Sequence, residues 1–382
     1  MSRLRILSAV LLLVLFVPAC YAQLGKNVII PAGSELDHQL TAINSAEPSA
    51  KLALIDQFAQ AHPEDDYQII ADEQYVSYYL NAKQYDKTFE YGDKLFALDP
   101  DNYANAINMI RAANEKTDTD KLFVYGEKAN AILKRYKDSQ PPTGQDAETW
   151  QRSKSEKLAS LKDDQDYVRQ SLYSAVYSVA DPMKKAAYFE RFGKMYAGTP
   201  EGAQAFTMAA AAYQQAQNRS KMLEVANNAL TLDPDNIGVL LLLADDFSEK
   251  GEQLDKAEAY AKKAASLTET AKKPEGVTDD QWKQQTSMQK GLALSTLGQV
   301  SIEKRLNTQA VDNLTKAAPL LKSSPVTYAR NQYRLGFAYL NLKRNVEAKQ
   351  AFTDAASVDS PYKGPSQQKL AEIGAAVHKK AS

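Results

Sequence analysis

Three histidines and one cysteine are all that the chain offers to soft-metal or thiol chemistry. Zinc sites are built from Cys and His, and His38, His62, His378 and Cys20 are too few to supply one. His62 stands beside Pro63, Glu64, Asp65 and Asp66, a run that can be drawn as a metal cluster but reads as a solvated turn. Asp118 and Asp120 lack the Gly and distal Glu of a calcium loop. Neither phosphate-binding glycine motif occurs, nor His-Glu-x-x-His, nor Gly-x-Ser-x-Gly. The sequence therefore predicts no catalytic residue, no metal and no cofactor. What remains is a basic pair, Arg330 and Arg334, with Tyr333 beside them. Residues four apart share a helix face, and two guanidiniums so placed bind carboxylates bidentately. The pair reads as an anion-preferring patch; the alternative is a solvated basic turn.

Composition narrows the function classes. Over 382 residues, 46 basic side chains meet 47 acidic ones, for a net charge of −1. A general electrostatic grip on nucleic acid needs a basic excess, so no nucleic-acid partner is expected. With 44% hydrophobic and 24% charged residues, the chain can bury a core in water. Only 16 Gly and 15 Pro exclude collagen-like and Pro/Gly-rich disordered classes.

Residues 1–22 read as a signal peptide. Arg3 and Arg5 precede an apolar run from Ile6 to Val17, and small residues Cys20 and Ala22 lead to a cut before Gln23. The run is short for an uncleaved anchor, since a bilayer needs about 20 apolar residues. Cleavage yields a cysteine-free chain, periplasmic or secreted, with no membrane span. Val17-Pro18-Ala19-Cys20 loosely resembles a bacterial lipobox, with Pro18 a poor fit, so lipidation of Cys20 is the alternative. Val239–Ala244 is the strongest later apolar run and reads as a buried helix face.

The elements that must position any site repeat along the chain. Phe89-Glu90-Tyr91-Gly92-Asp93-Lys94 returns 34 residues later as Phe123-Val124-Tyr125-Gly126-Glu127-Lys128. Leu-Asp-Pro-Asp-Asn occurs at 98–102 and again at 232–236, with Pro200 and Pro234 also 34 apart. Ala348, Phe352 and Ala355 are spaced 4 then 3, one helix face, and so are Ala310, Leu314 and Ala317, and Ala257, Ala261 and Ala264. Gly336 and Gly298 lie 12 residues before Ala348 and Ala310. A small residue on each of two helices lets their backbones approach, so Gly336 is expected to face Ala348 and Gly298 to face Ala310. The unit is a 34-residue helix hairpin, often closed by Asp-Pro because Pro cannot continue a helix.

This pattern resembles the tetratricopeptide repeat. The last repeat matches at Leu335, Gly336, Tyr339, Ala348, Phe352 and Ala355, and a middle one at Ala210, Tyr213, Ala226, Ala229 and Pro234. Thr88, Leu122, Tyr188 and Met222 stand where the family prefers Ala, so those hairpins are expected to be wider, Tyr188 most of all. The resemblance implies an all-α fold, a right-handed superhelix of stacked antiparallel helix pairs. Its segments are 1–22 (signal), 23–68 (N-terminal segment with a degenerate hairpin), 69–136, 169–271 and 291–362 (repeats), 137–168 and 272–290 (inserts), and 363–382 (a capping helix carrying Leu370, Ile373 and Val377). Both inserts run Pro, Gly, Trp: Pro142, Gly144, Trp150 and Pro274, Gly276, Trp282. They read either as exposed aromatic binding elements or as an elongated first helix pinned at its start, with Thr278 and Gln281 forming a capping box in the second. Coupling between repeats is expected to weaken at the inserts.

Some tetratricopeptide domains hold a peptide's terminal carboxylate with Lys, Asn and Arg from three successive first helices. Arg330 and Arg334 match the last of these, but the preceding helices offer Ser295, Thr296 and Gln299, then Leu241 and Asp245. The Lys and Asn partners are missing, so the resemblance does not imply that clamp. It implies a non-enzymatic scaffold that binds an unidentified protein or peptide on its concave surface. The alternative is a component of cell-envelope assembly, outer-membrane biogenesis or division in type, anchored through Cys20.

Overall fold

A computed structural model describes residues 24–274 and 276–381. The expected signal peptide, Cys20 and the cut before Gln23 lie outside the described residues, as do the side chains of Val377, Lys379 and Lys380 in the expected cap. The described residues form 18 helices and no strand. They divide into two compact units, the first ending at Ser178 and the second beginning at Val179.

The first unit holds α1 (Glu35–Ser45), α2 (Pro48–Ala61), α3 (Asp65–Asn81), α4 (Tyr85–Leu98), α5 (Tyr103–Glu115), α6 (Thr119–Asp138), α7 (Ala147–Ser160) and α8 (Lys162–Ser178). The second holds α9 (Pro182–Met195), α10 (Pro200–Gln215), α11 (Arg219–Leu232), α12 (Ile237–Lys250), α13 (Leu254–Thr270), α14 (Asp279–Glu303), α15 (Asn307–Leu321), α16 (Pro325–Asn341), α17 (Asn345–Ala356) and α18 (Lys363–Ala381). Sequential helices pack as hairpins, α3 on α4 and α5 on α6 in the first unit, then α10 on α11, α12 on α13, α14 on α15 and α16 on α17 in the second.

Five of these hairpins turn in the same way without glycine. Lys83, Thr117, Gln217, Arg305 and Lys343 each adopt a left-handed φ between 55° and 62°. The next N–H then reaches back to the carbonyl five residues earlier, as Gln84 does to Tyr79 at 2.8 Å and Leu306 to Ser301 at 2.7 Å. That bond closes the first helix as a Schellman motif. Left-handed geometry costs a side chain about 1–2 kcal/mol, so each turn is held by the packing of its hairpin. The second helix is capped unevenly: Asp118 and Asn218 accept from Lys121 N and Lys221 N, whereas Leu306 has no capping side chain.

Close approach sets the packing, one helical turn away from the expected partner. A Cβ built on Gly336 would lie 2.7 Å from the Phe352 ring, and one on Gly298 would lie 2.4 Å from Leu314. Gly336 thus opposes Phe352 rather than Ala348, and Gly298 opposes Leu314 rather than Ala310. The glycine makes room for a large side chain, and the alanines pack beside it. Gly291 opposes Leu321 in the same antiparallel register. Ala210, Ala229, Ala310, Ala317, Ala348, Phe352 and Ala355 are at most 2% exposed, and Tyr213 is 4% exposed. Tyr339 is half-buried, and Pro234 is exposed in the turn after α11.

The inserts take different forms. The second extends α14 to 25 residues, opened by the Thr278–Gln281 capping box, with Trp282 half-buried near its start. The first forms α7, separated from α8 by the single residue Leu161. Trp150 of α7 is 2% exposed and donates from Nε1 to the Ser139 carbonyl at 3.2 Å. The Lys154 ammonium, also buried, donates to the Lys137 and Ser139 carbonyls at 2.9 Å each, closing the end of α6. Trp150 is therefore an anchor and not an exposed binding element. The division between compact units falls at neither insert but after Ser178, near the start of the repeats expected over 169–271. Tyr188, which takes an alanine position, is buried in α9.

The glycine register gives a paired prediction. Gly336→Ala should destabilise the chain by about 1–3 kcal/mol through overpacking on Phe352. Gly374→Ala, in α18 where nothing lies within 4 Å, should stabilise it by about 0.5–1 kcal/mol through helix propensity. Thermal denaturation followed by circular dichroism should move in opposite directions for the two variants.

Candidate functional site

In the second unit, the first helices of successive hairpins stand side by side, α12 against α14 and α14 against α16. Turns of four residues bring Asp245 and Glu249 of α12, Ser295, Thr296, Gln299 and Glu303 of α14, and Arg330, Tyr333, Arg334 and Phe337 of α16 to one face. The two arginines do not wait there for an anion. Arg330 Nη1 donates to Asp245 Oδ2 at 2.8 Å, and Arg334 Nη2 donates to Asp245 Oδ1 at 3.0 Å. Arg334 also donates to Glu249 Oε1, and its Nη1 donates to Ser295 Oγ at 3.1 Å. Arg334 is only 3% exposed. The sequence reading took both arginines as accessible; the structure instead buries one and neutralises both with the chain's own carboxylates.

The charges hold each other in place. Burial pushes the Asp245 carboxyl up, but Arg334 and then Arg330 outweigh it and hold the group below its ordinary value. Burial disfavours the Arg334 cation, yet Asp245 and Glu249 more than restore it, and its pKa is raised. Arg334 Nε is buried and has no hydrogen-bond partner.

Beside this network is a cavity of about 310 Å³. Gln299, Ile302 and Glu303 line it from α14 and Tyr333, Phe337 and Tyr362 from the side of α16, while Glu249, Arg330 and Arg334 of the network complete the lining. Tyr333 and Phe337 meet edge to face with centroids 4.9 Å apart, as do Phe337 and Phe352 at 5.5 Å, while Tyr333 and Tyr362 are tilted at 5.5 Å. Tyr333, placed with the arginines from its spacing, does line this cavity. Asp245, Glu249, Glu303, Phe337 and Tyr362 are the residues that sequence reasoning did not assign to the site.

A second hollow, in the first unit, is lined by Glu73, Asn102, Tyr136, Trp150 and Lys157 and bordered by the segment Leu24–Asn27, with a volume of about 540 Å³. Asn102 caps α5 by accepting from Asn105 N at 2.9 Å and donates to Glu73 at 2.9 Å. Lys26 N donates to Asp99 Oδ2 at 2.9 Å, tying the N-terminal segment to the Leu-Asp-Pro-Asp-Asn turn. His62 closes α2, paired to Gln39 at 2.8 Å and packed between Phe58 and Tyr67. Among the described residues no group of three or more His, Cys, Asp and Glu is placed to hold a metal ion, and no helix is long and apolar enough to cross a membrane.

No protein-family model matches the chain, and no curated protein matches it. Among solved structures, the APC/C hetero-tetramer Cut9–Hcn1 is similar at 14% identity, covering 90% of this chain and 77% of that one with a TM-score of 0.29. The TPR domain of P58(IPK) is similar at 16% identity, covering 91% and 100%, with a TM-score of 0.25. Yeast Tom70 is similar at 13% identity, covering 90% and 95%, with a TM-score of 0.21. At such scores the fold rests on the chain's own geometry. Its 34-residue offsets and its sequential antiparallel hairpins make an all-α array of helix pairs among the described residues.

The ion network makes Asp245 the residue to remove. Asp245→Asn keeps the shape but strips Arg334 of a buried partner, and should destabilise the chain by about 3–5 kcal/mol. Because the Asp245 pKa is lowered in the fold, its contribution is fully present above the ordinary value of 3.8 and is lost as pH falls below it. The gap between wild type and Asp245→Asn, measured by denaturant titration, should therefore be constant from pH 5 to 8 and close at acid pH.

Proposed function

We propose that this protein is an exported, non-enzymatic scaffold that holds a protein or peptide segment along the first helices of its second unit. The observation that carries this reading is the cavity itself: aromatic and polar side chains from consecutive first helices converge on a space of about 310 Å³. Its two guanidiniums are committed to Asp245 and Glu249 as ion pairs, an arrangement that positions a surface instead of activating a nucleophile. Side-by-side first helices suit an extended partner, because the repeats offer the same kind of face at regular intervals. The near balance of 46 basic and 47 acidic residues supports a protein partner over nucleic acid.

Export to the periplasm or beyond the cell rests on residues 1–22, with their basic start, apolar run and small residues before Gln23. A second reading, a lipid-anchored component of envelope assembly, is favoured by Val17-Pro18-Ala19-Cys20 alone.

Two experiments test the proposal. A photo-crosslinking amino acid at Gln299, in the cavity wall, should capture a discrete partner in cells. The same group at Val346, 81% exposed on α17, should not; equal labelling from both positions would remove the basis for the reading. Mass spectrometry of the chain recovered from cells should show an N-terminus at Gln23. An intact Met1 would count against export by cleavage, and a diacylated Cys20 would establish the anchored reading.

A further inference from the structure

We propose that the cavity beside α14 and α16 receives a basic side chain, lysine or arginine, of an extended partner segment. This rests on the scaffold reading and names the chemistry of its partner.

Four observations lead to a cation. First, both guanidiniums of the site are already engaged, Arg330 with Asp245 and Arg334 with Asp245 and Glu249. A carboxylate entering here would meet Asp245 and Glu249 as like charges beside the guanidiniums that they already neutralise. Second, the cavity lining carries two carboxylates and two guanidiniums, and with Arg330 and Arg334 held by Asp245 and Glu249, Glu303 has no cationic partner of its own among the described residues. Glu303 is exposed at the cavity wall, and the partner it accepts from is the neutral amide of Gln299, at 3.0 Å. It is the carboxylate left over. Third, the lining on the side of α16 is aromatic, and Tyr333, Phe337 and Tyr362 are each only half-buried. Aromatic faces attract ammonium and guanidinium groups while packing the methylene stem that carries them. Fourth, Phe337 already attracts a cation of the chain: Lys369 of α18, paired with Glu372, holds its Nζ 5.6 Å from the Phe337 centroid. The volume, about 310 Å³, is at the small end of ligand pockets, right for one side chain and too small for a folded element.

Two arginines four apart suggest an acidic partner only while their counter-ions are unknown. Once Asp245 and Glu249 are in place, the arginines order the floor, and the recognition groups are Glu303 and the rings.

The test uses the purified chain and four peptides that differ at one central position in an alanine–serine background: lysine, arginine, glutamate, or norleucine as the uncharged isostere of the stem. Ligand-observed NMR titration should rank lysine above norleucine and norleucine above glutamate, with arginine in the same position behaving like lysine. Glu303→Lys should abolish the preference for lysine. Glu303 is exposed, so far-UV circular dichroism should be unchanged. Phe337→Leu should weaken the lysine peptide by about two- to five-fold, the scale of a lost cation–π contact. Lys369→Met, which removes the resident ammonium, should tighten it by a similar factor. Equal binding of lysine and norleucine, stronger binding of glutamate, or a Glu303→Lys variant that still prefers lysine would overturn the proposal. If the Gln299 cross-linker captures a partner whose binding is indifferent to Glu303→Lys, the cation pocket fails and the scaffold reading stands. If the lysine peptide binds and no partner is captured, the reverse holds.

Discussion

A missing side chain on one helix, opposite a large one on the next, sets the spacing on which the second unit depends. Gly298 against Leu314 and Gly336 against Phe352 bring each hairpin closer than two ordinary side chains would permit. With the hairpins closed tightly, α12, α14 and α16 line up as neighbours. Their exposed turns then form a continuous face. Side chains that would be solvated on an isolated helix become partly buried there, and charged ones must find partners. The burial of Arg334 is a consequence of packing that begins at glycine.

Asp245 answers that requirement. A buried guanidinium is tolerated when it is paired and hydrogen-bonded, and costs several kcal/mol when it is not. Asp245 accepts from Arg330 and Arg334 at once, and Ser295 and Glu249 take further donors of Arg334. The net gain over an apolar packing of the same volume is small by this physics. What the network adds is register. It ties α12 to α16 across α14, so a slip of either hairpin by one turn would strand a buried charge. The same ties hold Tyr333 and Phe337 in position, because they share α16 with the arginines.

The hairpins were readable because small-residue spacing and the 34-residue offset are local properties of a helix face. The partner of each glycine was not, since spacing within one helix names a face but leaves open which residue of the next helix meets it. The expectation therefore lay one turn from Phe352 and Leu314. The site was legible in half. Arg330, Tyr333 and Arg334 were found from their spacing, yet Asp245 lies 85 residues from Arg330 and was read only as a departure from a family pattern. A signal did exist: Asp245 and Glu249 are four apart on one first helix, as Arg330 and Arg334 are on another. Matching the two spacings across repeats would have paired them. The unit boundary after Ser178 was not legible from insert lengths, because α7 docks through Trp150 and Lys154 on the end of α6 and so binds its insert into the first unit.

Identical repeat sequence does not make an identical surface. Leu-Asp-Pro-Asp-Asn occurs in both units and does the same local work in each, with Asn102 and Asn236 capping the helix that follows. In the first unit the turn is covered. Asp99 is 1% exposed, Lys26 N donates to it, and a Cβ on Gly25 would lie 2.9 Å from its carboxylate. Gly25 sits at φ +121°, a conformation that side chains rarely adopt. In the second unit the corresponding Asp233 accepts from Asp235 N, and Asp235 turns outward to Lys263. The difference comes from outside the repeat, from a short N-terminal segment that only the first turn meets. Local sequence decides where a helix starts and stops. Which of its polar groups remain open is decided by the segments that neighbour it: in the first unit Asp99 is covered, whereas on the second unit's face Glu303 and the half-buried rings of Tyr333, Phe337 and Tyr362 stay accessible.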